Sequence, residues 1–165
     1  LPICYVFNDT YEYEIDLSYS TPKLFLKIRN DWGDAIARNI AIPELGDRSN
    51  TSIDGWYNVS DQLFLGANIR QSELVSKTTG EEFFSGYIGS IKGTYQFNKN
   101  TFLKLTYEYN NFNEDSYLQA LFQWQPDSAT IFYFGGTINR EDIEGTWENE
   151  SSQIYMKFQY LFNFD

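Results

Sequence analysis

Histidine is absent from the 165 residues, and cysteine occurs once, at Cys4. Without an imidazole, no serine or cysteine nucleophile can be activated in the usual way, and a His-based or Cys-rich metal site cannot be assembled. A single cysteine rules out a disulfide within the chain and leaves the redox compartment open. Long apolar runs are missing too. IFYF at 131–134 is far short of the ~18 residues that a transmembrane helix requires, which excludes a helical membrane protein. Cations are scarce: 12 Lys+Arg stand against 23 Asp+Glu, a net charge of −11 that repels phosphate backbones, so nucleic acid is not an expected partner. With 4 Pro and 11 Gly the composition is neither fibrous nor disordered.

What is abundant is aromatic surface, at 19% of residues, and strict alternation. In YEYEIDLSY (11–19), Tyr11, Tyr13, Ile15, Leu17 and Tyr19 fall on one face of a strand and Glu12, Glu14, Asp16 and Ser18 on the other. LFLKIR (24–29) follows after STPK and predicts a hairpin, with Pro22 in the turn. The same period marks strands over 62–71, 83–97, 101–110, 117–125, 130–139 and 152–164, with weaker signals over 3–7 and 35–42. Connectors read from the sequence alternate: long at 72–82 and 140–151, medium at 113–116, short at 98–100 and 126–128. An up-and-down membrane barrel has that asymmetry. The stretch 43–60 is expected as a long link that breaks the rule.

Length fits a single domain over 1–165, with the strongest barrel pattern over 55–165 and a weaker N-terminal part over 1–54. The chain opens LPICYVF with neither an initiator Met nor a basic leader, so it is expected to be a processed protein or a piece of a longer one. Ile3 is too large for the residue that precedes the Cys of a lipoprotein cleavage site.

Alternation alone does not say which face is inside. Three features favour lipid on the apolar face. Its Tyr, Phe, Leu and Trp side chains are too bulky to share the ~10 Å gap of a small sandwich. Tyr and Trp gather near strand ends (Tyr11, Tyr19, Tyr95, Tyr107, Tyr109, Trp124, Tyr160), where girdles form. The polar face carries charges of both signs that can pair in a lumen: Glu12, Glu14, Asp16, Lys27, Arg29, Arg70, Lys92, Lys104, Glu108 and Lys157. In the first hairpin, one of the three carboxylates is expected beside Lys27 and another beside Arg29. The expected fold is therefore all-β, an antiparallel up-and-down transmembrane β-barrel of eight to ten strands, or the C-terminal part of a larger one. Closure would remove the exposed edges of the meander. The alternative is a soluble β-barrel or sandwich that binds an apolar ligand or a carbohydrate, with Trp56 and Tyr57 stacking on it.

The terminal SQIYMKFQYLFNF resembles the closing strand of bacterial outer-membrane β-barrel proteins, which ends in an aromatic residue; here Asp165 follows Phe164. The stretch Gly55–Asp165, with YNVSDQLFLGANIRQ and YLQALFQWQPDSATIFYFGG, is similar to the C-terminal barrel of uncharacterised outer-membrane proteins that carry a carbohydrate-binding-like module upstream. The resemblance implies the bacterial outer membrane as location, membrane lipid and the barrel-assembly machinery as partners, and Ile154, Met156, Phe158, Tyr160, Phe162 and Phe164 as lipid-facing in the closing strand. A structural or pore role without catalysis or cofactor is expected.

Outer-membrane barrel enzymes of the deacylase, palmitoyl-transferase, phospholipase and protease kinds use a histidine, which this chain lacks. Glu12, Glu14 or Glu108 could in principle form an acid–base pair on a sugar, but same-face carboxylates are more simply lumen lining. REDIEGTWENE (140–150) gathers Glu141, Asp142, Glu144, Glu148 and Glu150, oxygen ligands without the spacing of a calcium loop. An acidic solvated loop is expected there, with a loosely held divalent ion as the alternative; other envelope proteins are further conceivable partners. GYIGSIKG (86–93) sits within a strand and is expected to serve close packing or bending rather than phosphate binding.

Overall fold

The computed structural model describes residues 9–38, 40 and 42–162. The expected strand 3–7, Cys4 and Phe164 lie outside them. Nine strands follow one another along the chain: β1 (Glu12–Ser20), β2 (Leu24–Ala37), β3 (Glu44–Asn58), β4 (Leu63–Ser76), β5 (Glu82–Asn98), β6 (Thr101–Asn110), β7 (Asp115–Trp124), β8 (Thr130–Ile143) and β9 (Thr146–Tyr160). Each pairs antiparallel with the next, so sequence order is also spatial order in one up-and-down sheet. Among the described residues there is no helix, and the outer edges of β1 and β9 do not pair with each other.

Three expectations are corrected. The supposed link at 43–60 is β3, paired along its length with β2 and β4. The separate strand expected at 35–42 is not separate, because β2 runs unbroken from Leu24 to Ala37. The long connectors at 72–82 and 140–151 are mostly strand, leaving links of 77–81 and 144–145, so the two ends of the sheet do not differ in connector length as expected.

The sheet has no conventional core. Among the described residues the buried apolar side chains are Ala37 and Leu74. The accessible surface is 12133 Å², where a compact monomer of this mass would expose about 8,500 Å². The apolar face alternates cleanly with the polar one, and it does so within a band. In β2, Leu24, Leu26 and Ile28 give way to Asn30; in β3, Tyr57, Gly55 and Ile53 give way to Thr51 and Ser49; in β4, Leu65, Ala67 and Ile69 give way to Gln71 and Glu73. Beyond the polar stretch that follows the band, β2–β5 and β8–β9 project on the side away from the 21–23 and 59–62 turns, and a small apolar group there, with Ile36, Leu45, Leu74 and Val75, includes the buried Ala37 and Leu74.

The band crosses the hydrogen-bonded rows obliquely. A row that starts at Leu17 passes through Ile28, Ile53, Ile69, Gly89 and Tyr109, then leaves the band at Ser116 and Arg140. The row that ends at Met156 passes Phe134, Phe122, Leu103 and Tyr95 and runs out of the sheet at Leu63. A slide of roughly eight residues across eight strand spacings of ~4.8 Å corresponds to strands tilted by roughly 35° from the band's normal, the inclination of barrel strands.

Glycines serve close packing at two places. Gly33, at φ +149°, lets β2 pass the backbone of Tyr11 and Glu12, where a Cβ would sit 2.3 Å from the Tyr11 carbonyl oxygen. In GYIGSIKG, a Cβ on Gly86 would lie 2.7 Å from the Phe112 ring, whereas one on Gly93 would meet Leu65 at an ordinary 3.6 Å. Gly86→Val should therefore destabilise the sheet by about 1–3 kcal/mol, while Gly93→Ala should be close to neutral, as checked by urea unfolding followed by tryptophan fluorescence.

Candidate functional site

All ten charged residues expected on one face share it in the register: Glu12, Glu14, Asp16, Lys27, Arg29, Arg70, Lys92, Lys104, Glu108 and Lys157. Their pairing is uneven. In β1 and β2, Asp16 lies opposite Arg29 and Ser18 opposite Lys27. Asp16 therefore serves both cations, accepting from Arg29 at 2.8 Å and pairing diagonally with Lys27 at 2.9 Å, while Glu14 reaches Arg29 at 3.4 Å. One carboxylate, Asp16, thus stands beside Lys27 and another, Glu14, beside Arg29, although the residue directly opposite Lys27 in the register is Ser18.

The cluster extends through residues that sequence reading passed over. Arg48 of β3 bridges Glu12 and Asp31, the latter at 3.2 Å, spanning from β1 to β3. Asn50 donates to Asp31 at 2.8 Å and accepts from Ser72 at 2.7 Å, carrying the chain of contacts into β4. Arg48 lies in the polar stretch Asp47–Ser52, where neither face alternates and the sequence carries no strand signal. Asp31, Asn50 and Ser72, with Lys27, Arg29 and Arg70, border a polar cleft of about 450 Å³ over β2–β4. Arg70, Lys92, Lys104, Glu108 and Lys157 form no ion pair among the described residues; Lys92 faces Gly66 and Thr106, and Lys104 faces Thr94 and Leu121. The expected network is thus two regions, a connected one on β1–β4 and a set of separate charges on β4–β9.

An aromatic row also lies on the polar face, near the 21–23 turn. Trp56 stacks between Phe25 and Phe64, with centroids 6.2 and 6.1 Å away. Tyr57, its neighbour in β3, points to the opposite face. The two cannot stack on one ligand, which corrects their expected joint role.

On the apolar face, Leu26, Ile53, Leu65 and Ile91 surround a groove of about 660 Å³ floored by Gly55 and Gly89. The closing-strand residues Ile154, Met156, Phe158 and Tyr160 share this face, with Ile154 79% and Met156 71% exposed; Phe162 is also exposed. Glu141 and Asp142 are successive residues of β8 and face opposite sides, while Glu144 sits in the turn. Among the described residues no group of three acidic, His or Cys side chains could hold a metal ion.

On the projecting part of the sheet, beyond the band, Lys77 forms a clasp. Its ammonium bonds Asp34, lies 3.4 Å from Asp47 and sits 4.8 Å over the Tyr11 ring. The hydrogen bond to Asp34 is the main reason that Lys77 holds its proton above the ordinary 10.5. A cation whose pKa is raised on folding contributes its full stabilisation below the unfolded value and loses it as pH rises through the folded one. The excess thermal stability of the natural chain over Lys77→Met should accordingly be constant up to about pH 10 and vanish above it, as measured by circular dichroism across the alkaline range.

No family model matches the chain, and no curated protein matches it in sequence. Among solved structures, it is similar to the CymD monoaromatic hydrocarbon channel, with 13% identity and a TM-score of 0.47 over 91% of this chain and 51% of that one. It is also similar to the KdgM porin, free and in complex with disordered oligogalacturonate, each with 13% identity and a TM-score of 0.40 over 93% of this chain and 98% of that one. The chain spans about half the length of the CymD chain that it matches.

Proposed function

We propose that this chain forms the wall of a transmembrane β-barrel in the bacterial outer membrane, with a structural or pore-forming role and no catalysis. The observation that carries this reading is inverted exposure. On the polar face, the charged side chains of Asp31 and Arg48 are only 21% and 26% exposed, while on the apolar face of the interior strands Leu26 and Leu65 are 39% and 41% exposed. In water, each such aliphatic side chain forfeits about 1.5–3 kcal/mol of burial; in hydrocarbon that loss disappears.

Dimensions agree. β6 has 10 residues, and ten residues at ~3.4 Å rise inclined by ~35° cover about 28 Å, close to the height of an outer-membrane apolar band. Tyr57, Tyr95, Trp124 and Tyr160 mark one boundary of the band, and Tyr13, Trp32, Tyr87 and Tyr109 the other, as interfacial girdles do. Membrane lipid is then the partner of the apolar face and the polar face lines the interior. Recognition of the closing strand by the assembly machinery, and a carbohydrate-binding-like module upstream, rest on the resemblance of the Gly55–Asp165 stretch. A soluble sandwich is not favoured, because it needs the apolar face covered, and the buried apolar residues described are Ala37 and Leu74.

The test uses single-tryptophan variants in vesicles of brominated phospholipid. Trp124, on the apolar face, should be strongly quenched, and Trp56, on the polar face, should respond to aqueous iodide and not to bromine; equal quenching of both would contradict the assignment. A second expectation concerns Ile154→Lys, six residues inside the Tyr160 boundary on the same face: insertion should be impaired by roughly 2–4 kcal/mol, seen as loss of the heat-modifiable band in detergent gels, while Gln159→Lys should insert normally.

A further inference from the structure

Among the described residues, every Lys and Arg within the nine strands lies on the polar face except Arg140. The row that carries Ile53, Ile69 and Tyr109 on the apolar face reaches it through Ser116, just past the edge of the band. Tyr109 belongs to the girdle on that side, and its ring centroid lies 6.1 Å from that of Trp147. Arg140 is thus the one strand cation on the face proposed to meet lipid, and it stands at the depth where hydrocarbon gives way to headgroups.

A local irregularity keeps this cation free. β8 and β9 shift register after Asn139, so that Arg140 lies opposite Asn149 and Asp142 opposite Trp147. Had the pairing of Asn139 with Ser151 continued unbroken, Glu150 and Glu148 would stand opposite Arg140 and Asp142. The bulge re-aims β9. It brings Trp147 and Asn149 to the outer side in place of two carboxylates. Asp142, one step farther from the band, forms no ion pair with Arg140, and Arg140 forms none with any other described residue.

Beside the guanidinium is a hollow of about 330 Å³. Tyr107, Leu118 and Ile138, consecutive in one row, form its band side, and Ser116, Arg140 and Trp147 its outer side. One side is therefore apolar and the other offers a cation and a hydroxyl, which is the pattern of an amphiphile with an anionic head. A guanidinium presents a planar fork that donates two parallel hydrogen bonds to phosphate oxygens. A free phosphate ion would leave the apolar side uncovered, and an uncharged lipid would leave Arg140 unpaired.

We propose that this hollow holds the phosphate-bearing headgroup of a membrane lipid, with Arg140 donating to the phosphate and Leu118 and Ile138 lying under the start of the acyl chain. The proposal rests on the barrel reading, because it needs this face in lipid.

The test follows Trp147 fluorescence in a chain whose Trp32, Trp56 and Trp124 are replaced by Phe, folded in dodecyl maltoside micelles and titrated with dodecyl phosphate. Emission should change saturably, and Arg140→Gln should raise the half-saturating concentration about tenfold, the expected loss for one charge-assisted contact. Arg140→Lys, which keeps the charge and loses the fork, should fall between the two. Lys157→Gln, on the polar face, should titrate like the chain with Arg140 and Lys157 intact. Inorganic phosphate and dodecanol supply the head and the chain separately, and neither should reproduce the change. An unaltered curve for Arg140→Gln, no response to dodecyl phosphate, or the same response to inorganic phosphate or dodecanol would overturn the proposal while leaving a membrane-inserted sheet. A chain that folds as a monomer in plain buffer would instead overturn the barrel reading beneath it, a failure seen before any titration begins.

Discussion

The backbone ladder is the constraint on which the rest of this structure depends. Nine antiparallel strands pair in sequence order, so over the rows that two neighbours share an internal strand satisfies its N–H and C=O groups without help from water. In hydrocarbon that is a requirement rather than a preference. Once the ladder is fixed, side chains can only alternate, and the chain uses the alternation to put Ile154, Met156 and Phe158 on one surface and Gln153, Lys157 and Gln159 on the other. The usual division between core and surface is thereby turned inside out. Stability of such a sheet comes from the ladder, from apolar contact with its surroundings, and from mutual satisfaction of the charges on its polar face.

Those charges are organised differently along the sheet. Asp16, Asp31 and Arg48 each hold more than one partner, tying β1, β2 and β3 together on the polar side. A shared partner lowers the ordering cost of each added contact, and partial burial spares it some screening by salt. From β4 onward the polar face instead presents Arg70, Lys92, Lys104 and Lys157 without carboxylate partners among the described residues. The polar face is therefore self-neutralising over β1–β3 and carries separate cations beyond them.

Legibility in the sequence followed the apolar band. β1, β6 and β7, and the band-level parts of β4, β5, β8 and β9, show period two because one face meets a different medium from the other. β3 was missed for the opposite reason: between Asp47 and Ser52 both faces are polar, so the period has nothing to report. The segments 72–76 and 140–143 are likewise strand in the structure, and the mixed SELVS and REDI carry too little alternation to report it. Missing β3 hid Arg48 and with it the link between Glu12 and Asp31. The parity of the faces survived these errors, since each strand's alternation is internal to it; partners within the face did not, since they depend on register. Trp56 and Tyr57 illustrate the difference: adjacency in sequence suggested one site, and strand geometry sends them to opposite sides.

Which face meets lipid is the claim that everything else serves, and nitroxide accessibility along β9 addresses it most directly. With single spin labels at successive positions from 153 to 159 in proteoliposomes, the account predicts that dissolved oxygen relaxes labels at 154, 156 and 158 most, while a water-soluble nickel chelate relaxes those at 153, 157 and 159. The opposite phase, or no alternation at all, would contradict it.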